Sequence, residues 1–205
     1  MNTKMIATPF KGISVTHKIK NTEVLNHIMY LRDDIRKVLG NDHWYYRRAT
    51  IHITLIDHIS NWTKFIPYRN VREAYDLTLI ASENQRAFHI CFNEFKLTNS
   101  GIIVVSHDSG EFNNMRNCII DKGKYWNIYK SEMPLYPNIV HSTIIRFNTL
   151  LSDNEKDMVQ IILDKYNGQY IGSEYVKGFD IREFSREFDY SSGHNVKYVY
   201  LGNEE

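Results

Sequence analysis

From Thr50 to Asp57, and again from Ile139 to Arg146, short aliphatic runs are interrupted at alternate positions by histidine and threonine. That period-two pattern predicts two half-buried β-strands. Successive side chains on a strand point to opposite faces, so His52 and Thr54 share one face while Ile51, Ile53 and Leu55 share the other. In the second run His141 and Thr143 sit together, and Val140, Ser142 and Ile144 turn the other way. Each strand then has one chemical face and one packing face. Strict alternation also puts Asp57 on the packing side.

The pattern elsewhere predicts the elements around these two strands. Gly12 to Ile19 alternates as a first strand. Asn21 or Thr22 caps a helix whose apolar positions Val24, Leu25, Ile28, Leu31, Ile35, Val38 and Leu39 have helical spacing, and Gly40-Asn41 ends it. A polar, aromatic and basic loop, Asp42 to Arg48, leads into the first motif strand, and Asp57 to Tyr68, with Trp62, Lys64 and Pro67, reads as a loop after it. A second helix follows over about Arg69 to Glu83. Strands over Ala87 to Leu97 and Ile102 to His107 flank the turn Thr98-Asn99-Ser100-Gly101. A third helix is expected from Phe112 to Tyr129, weakened or split at Gly123. Pro134 and Pro137 punctuate the approach to the second motif, and Ser152 to Glu155 is a capping box for a last helix ending at Asn167-Gly168. Tyr170 to Leu201 reads as one long strand and a final one, turning at Ser191-Ser192-Gly193. The half containing one His-x-Thr motif is approximately repeated by the other. The fold class is therefore α+β, two-lobed with pseudo-twofold symmetry, with the motif strands facing each other across a cleft.

Composition narrows the partners. At 205 residues the chain has room for one domain with a substantial core or two small lobes sharing a cleft, and we read residues 1–205 as one two-lobed domain. A net charge of +1 does not write long-range attraction to nucleic acid into the total, so long duplex nucleic acid is not the expected partner, and phosphate binding must come from local Arg, Lys and His. Cys91 and Cys118 have no metal-ligand spacing and read as buried thiols in a reducing compartment. No run is long and apolar enough for a membrane span, and the first residues lack the apolar stretch of a secretion signal, which points to the cytoplasm. His89 and His107 read as structural, because neither has a partner at ligand spacing.

His52-Ile53-Thr54-Leu55 and His141-Ser142-Thr143-Ile144 resemble the paired His-x-Thr motifs of the 2H phosphoesterase superfamily, and the order of strands and helices resembles it over nearly the whole chain. Arg146, five residues past the second histidine, resembles a basic residue often found there. Ile144 replaces the commoner leucine. The resemblance implies a LigT-like fold with antiparallel sheets lining a central cleft and helices outside. It also implies a metal-independent phosphodiesterase that needs no cofactor. Members include LigT-like enzymes acting on RNA 2′,3′-cyclic phosphates and 2′-5′ linkages, viral enzymes that degrade oligoadenylate signals, and phage anti-CBASS enzymes that degrade cyclic oligonucleotide messengers.

The residue chemistry agrees with that expectation. Cleaving a phosphodiester needs a base, an acid and donors to the non-bridging oxygens, which are tasks suited to His52 and His141 and to Thr54 and Thr143. Which histidine is the base is open at this level. Two histidines and two threonines make a poor metal set, so no metal site is expected. Tyr45, Tyr46, Arg48, Trp126, Tyr136 and Arg146 are candidate substrate contacts, since rings stack on bases and guanidinium groups bind phosphate. The rings of the Asp42 to Arg48 loop are equally suited to covering the end of the core. The leading expectation is cleavage of 2′-5′ or 3′-5′ bonds in cyclic or short linear oligonucleotide messengers by a viral or phage antagonist working in host cytosol. The alternatives are processing of 2′,3′-cyclic RNA ends and a nucleotide-binding module without turnover.

Overall fold

The computed structural model describes residues 9–59, 68–126, 139–186 and 193–202. Nine strands and four helices are seen among them: β1 (Pro9–Lys18), α1 (Thr22–Leu39), β2 (Trp44–Tyr45), β3 (His52–Ile59), α2 (Tyr68–Ser82), β4 (Phe88–Thr98), β5 (Gly101–His107), α3 (Glu111–Tyr125), β6 (Val140–Arg146), α4 (Asp153–Tyr166), β7 (Gly172–Val176), β8 (Gly178–Arg186) and β9 (His194–Tyr200). A single 3-10 turn, Arg48–Thr50, precedes β3. The strands form two antiparallel sheets, ordered β3-β1-β8-β9 and β2-β6-β5-β4-β7. Helices α2 and α3 pack together over the first sheet, α1 and α4 over the second, and β3 meets β6.

Local chemistry explains the helix boundaries. The Asn21 side chain accepts from the Glu23 and Val24 amides at 2.9 and 3.2 Å, and Gly40 ends α1 at φ +73°. Val24, Leu25, Ile28, Leu31, Ile35 and Leu39 form its buried stripe. Ser152 and Glu155 form the reciprocal capping box at the start of α4. Gly123 does not split α3, which runs unbroken with Gly123 buried, because packing of Phe112, Met115, Ile119 and Ile120 holds it.

Four readings from the pattern are corrected. The segment Tyr170 to Leu201 holds three strands, because the chain leaves the second sheet after β7 and enters the first at β8, with Lys177 between them. At Gly178 an added Cβ would lie 2.3 Å from the Val199 carbonyl oxygen, so the close approach of β9 requires glycine at the start of β8. Trp44 and Tyr45 are not loop but a short edge strand against Arg146 and Ile145. β3 continues past Asp57 to Ile59. Cys91 is exposed and Cys118 half-buried, so neither is a core thiol. Cys91 lies on the outer face of β4, between the buried Ile90 and Phe92. Among the described residues, no helix is long and apolar enough to cross a membrane.

Candidate active site

The two motif strands are alike in register as well as in sequence. His52 lies opposite Lys18 and Thr54 opposite Thr16 on β1, and the next pair is Ile56 with Val15, which leaves Leu55 unmatched. On β6, His141 lies opposite Val105 and Thr143 opposite Ile103, and the next pair is Ile145 with Ile102, which leaves Ile144 unmatched. Each is a β-bulge at the aliphatic residue after the threonine, and it reverses the alternation downstream. Leu55 and Ile56 are both fully buried, as are Ile144 and Ile145. The side chain five positions past each histidine therefore rejoins the histidine face. That corrects the placement of Asp57: it is exposed and accepts a hydrogen bond from the Ser14 hydroxyl. It also puts Arg146, opposite Gly101 on β5, on the face of His141.

A bulge leaves backbone groups without ladder partners, and here an arginine from another element takes them up. Arg116 of α3 is only 3% exposed. Its Nε donates to the Leu55 carbonyl at 2.7 Å and its two terminal nitrogens to the Thr54 and Ile139 carbonyls at 2.9 and 3.1 Å. One guanidinium thus ties the bulge of β3 to the residue just before β6. Sequence reading missed Arg116, since an arginine in a helix reads as part of its solvated face.

The two histidines sit in different hydrogen-bond environments. His52 Nδ1 donates to the Thr50 carbonyl at 2.8 Å, so the neutral ring carries its proton on Nδ1 and has its lone pair on Nε2. Burial lowers the His52 pKa to about 4. The Thr50 carbonyl opposes this, while the nearby charges of Arg182, Arg146 and His141 add to it. His141 is also lowered, first by burial and then by the charge of Arg116. The Ile139 carbonyl opposes the shift, and Arg146 adds to it. His141 Nδ1 makes no well-formed hydrogen bond among the described residues. Thr54 and Thr143 are half-buried, and neither hydroxyl is engaged by a described protein group. The facing strands thus bring together His52, Thr54, His141, Thr143 and Arg146. Arg182 of β8 joins them, held by the Gly193 carbonyl at 2.6 Å and by Asn195. Arg182 also escaped sequence reading, because an alternating charge on a strand looks like an ordinary solvent-facing position.

The remaining candidates are distributed differently. The Tyr46 ring is 3% exposed, with its centroid 6.4 Å from that of His52, so it backs the histidine. Tyr45 donates from its hydroxyl to the Gly40 carbonyl at 2.8 Å and lies under Arg36, at the end of α1. Arg48 is exposed and donates to Asn26 at 2.6 Å and to the Thr22 carbonyl at 3.3 Å. Trp126 is 38% exposed at the C-terminal cap of α3. Tyr136 lies outside the described residues, as do Trp62, Lys64, Pro67, Pro134, Pro137, Ser191 and Ser192. His89 and His107 are exposed, and the His89 ring lies 4.6 Å from that of Tyr175.

No family model matches the sequence, and no curated protein matches it. Solved structures do resemble it. TT0787 of Thermus thermophilus superposes with a TM-score of 0.62 at 11% identity, over 95% of this chain and 100% of that one. E. coli LigT in its apo form gives 0.60 at 13% identity over 96% and 100%, and a phosphoesterase gives 0.56 at 13% over 94% and 99%. LigT has also been crystallised in complex with 3′-AMP, with phosphate and with NADP+, and those structures give TM-scores of 0.57, 0.56 and 0.56 at 12 to 14% identity. The chain has the LigT-like α+β fold over nearly its whole length.

Proposed function

We propose that the chain belongs to the 2H phosphoesterase superfamily and is a two-histidine phosphodiesterase acting without a metal ion or other cofactor on 2′-5′ or 3′-5′ bonds of cyclic or short linear oligonucleotides. The observation that carries this reading is the pairing of His52 and Thr54 with His141 and Thr143 on facing strands, each followed by the same bulge. The fold shared with LigT supports it, as does the capture of 3′-AMP, phosphate and NADP+ in LigT crystals. His52, with its lone pair on Nε2, acts as the base. It takes the proton of a water or neighbouring ribose hydroxyl as that oxygen bonds to phosphorus. The phosphorus–oxygen bond to the leaving group breaks, and His141, charged once the anionic phosphate is bound, gives its proton to the departing oxygen. Thr54 and Thr143 donate to the non-bridging oxygens, and Arg146 and Arg182 balance their charge. Among substrates, messenger oligonucleotides are favoured over long nucleic acid by the net charge of +1, which fits a viral or phage protein that removes host signals in the cytosol.

The test is a cleavage assay with chelator present, using 2′-5′ oligoadenylate, cyclic di- and trinucleotides and an RNA end bearing a 2′,3′-cyclic phosphate. Cleavage of a messenger by wild type, reduced on the order of 10² to 10⁴-fold in His52→Ala and in His141→Ala, is the expected result. Cleavage of the RNA end alone would move the protein to RNA-end processing. Wild-type turnover by the double variant, or loss of activity to chelator, would overturn the mechanism.

A further inference from the structure

An open hollow of about 780 Å³ lies beside the His52 half of the cleft, walled by the end of β1 and by β7, β8 and β9. Its lining includes Lys18, Lys20 and Lys177 together with Tyr175, Tyr198 and Tyr200. The ladder connects it to the site. Lys18 is the cross-strand partner of His52, so their side chains share a face with Cα atoms about 5 Å apart. The next row runs Thr54, Thr16, Asp180, Tyr198 across β3, β1, β8 and β9, which continues the same face to the edge of the sheet. From β3 to β9 is three strand spacings, roughly 14 Å. That is too far for the base of a nucleoside bonded directly to the phosphate at His52, and suits the next one along.

The chemistry of the hollow fits a nucleotide. The Lys18 and Lys20 ammonium groups form no ion pair with a described residue. The two carboxylates in the wall are already engaged: Glu174 by His17 and by the Lys20 and Asn21 amides, Asp180 by the Asn195 amide at 2.8 Å. Tyr198 and Tyr200 meet edge to face at 4.7 Å, and Tyr200 is 74% exposed, which leaves a ring surface for stacking. The equivalent place beside His141 differs. There Val105 takes the position of Lys18, and the hollow is about 190 Å³, lined by His107, Asp108 and Asn113 with no lysine or tyrosine among the described residues.

We propose that the lysine and tyrosine hollow beside His52 is a second nucleotide subsite, with Lys18 and Lys20 on a phosphate and Tyr198 and Tyr200 on the base. Among the described residues this lining is found on the His52 side, and the oligonucleotide extends past the scissile bond there. This rests on the phosphodiesterase reading of the adjoining site, and it makes the substrate class an oligonucleotide longer than the cleaved linkage requires.

The test is calorimetric binding of AMP and of 2′-5′ and 3′-5′ triadenylate to the full chain carrying His141→Ala, which slows turnover without touching the hollow. The same titrations are run with Lys20→Ala and Tyr200→Ala added, both at exposed positions. Triadenylate of at least one linkage should bind at least tenfold tighter than AMP. The added pair should abolish that gain while leaving AMP within twofold. Equal affinity for AMP and both triadenylates, or equal weakening of AMP and triadenylate by the pair, would overturn the subsite. Wild-type cleavage is scored separately. If no linkage is cut and the length-dependent binding persists, the phosphodiesterase reading falls and the subsite stands. If cleavage occurs with no length dependence, the reverse holds.

Discussion

His52 shows how the fold adjusts a single side chain. Burial holds its pKa near 4 and that of His141 is lowered too, so in the ligand-free protein both rings are neutral at pH 7. Acid–base work by the pair needs one ring charged, and bound phosphate supplies the compensating negative charge. Because kcat/KM reports the free protein, its optimum is expected below pH 6.5, with the optimum of kcat displaced upward because kcat reports the complex. Profiles of the two parameters that peak together above pH 7 would contradict the assignment. The same shift has a stability consequence. As pH falls below about 6.5 the unfolded chain binds a proton at this position while the folded one resists until about 4, so stability falls with pH across that window, by up to about 3 kcal/mol. His52→Gln should flatten the decline in urea unfolding between pH 6.5 and 4, and an unchanged slope would show that burial does not govern this histidine.

At the scale of elements, the bulges on β3 and β6 mark the boundary of what the pattern reveals. Helices α1 and α4 were legible because apolar spacing and capping residues agree, and the faces of His52, Thr54, His141 and Thr143 were legible because period two holds up to the threonine. Beyond it the extra residue reverses the phase, and nothing in Leu55-Ile56 or Ile144-Ile145 distinguishes a bulge from a buried run. The crossing at Lys177 was hidden for a similar reason. Its flanking strands keep an alternating pattern, and the change of sheet depends on tertiary partners. Two substitutions test the bulges. In Gly101→Ala the new Cβ would lie 2.0 Å from the Ile145 carbonyl oxygen, a backbone clash beside the bulge that only a displaced β6 relieves. Denaturation should show a loss of about 1–3 kcal/mol, with turnover falling because Arg146, opposite Gly101, moves with the strand. Arg116→Met keeps the bulk but strips the Thr54, Leu55 and Ile139 carbonyls of their donor, at a cost of about 3 kcal/mol or more. A variant as stable and as active as wild type would mean that the guanidinium is not what holds the motif strands in place.

Across the whole molecule, the symmetric frame is built by exchange. The sequence β1-α1-β3-α2 corresponds to β5-α3-β6-α4, yet β4, which follows the first, lies in the second sheet, and after the second the chain adds β7 to the second sheet before β8 enters the first. The sheets are joined by a buried pair where the chain crosses back. His17 Nε2 lies 3.1 Å from Glu174 on β7, His17 Nδ1 lies 3.0 Å from the Gly178 carbonyl on β8, and Glu174 also accepts the Lys20 and Asn21 amides at 3.0 and 2.7 Å. Burial would raise the Glu174 pKa, but the His17 bond and the two amides outweigh it and hold the carboxyl below its usual value. A depressed carboxylate contributes stability that is complete above its unfolded pKa, near 4.5, and is lost as pH falls through the folded value. Glu174→Gln keeps the shape and removes the charge. It should unfold at lower urea than wild type at pH 7, and the gap should narrow below about pH 4.5, because only wild type has this contribution to lose. A gap that stays constant down to pH 3 would assign the role of Glu174 to packing alone. Because its amide bonds also fix Lys20 and Asn21 at the mouth of the lysine and tyrosine hollow, the variant should weaken triadenylate more than AMP at neutral pH. The joint between the sheets would then also set the shape of the nucleotide subsite.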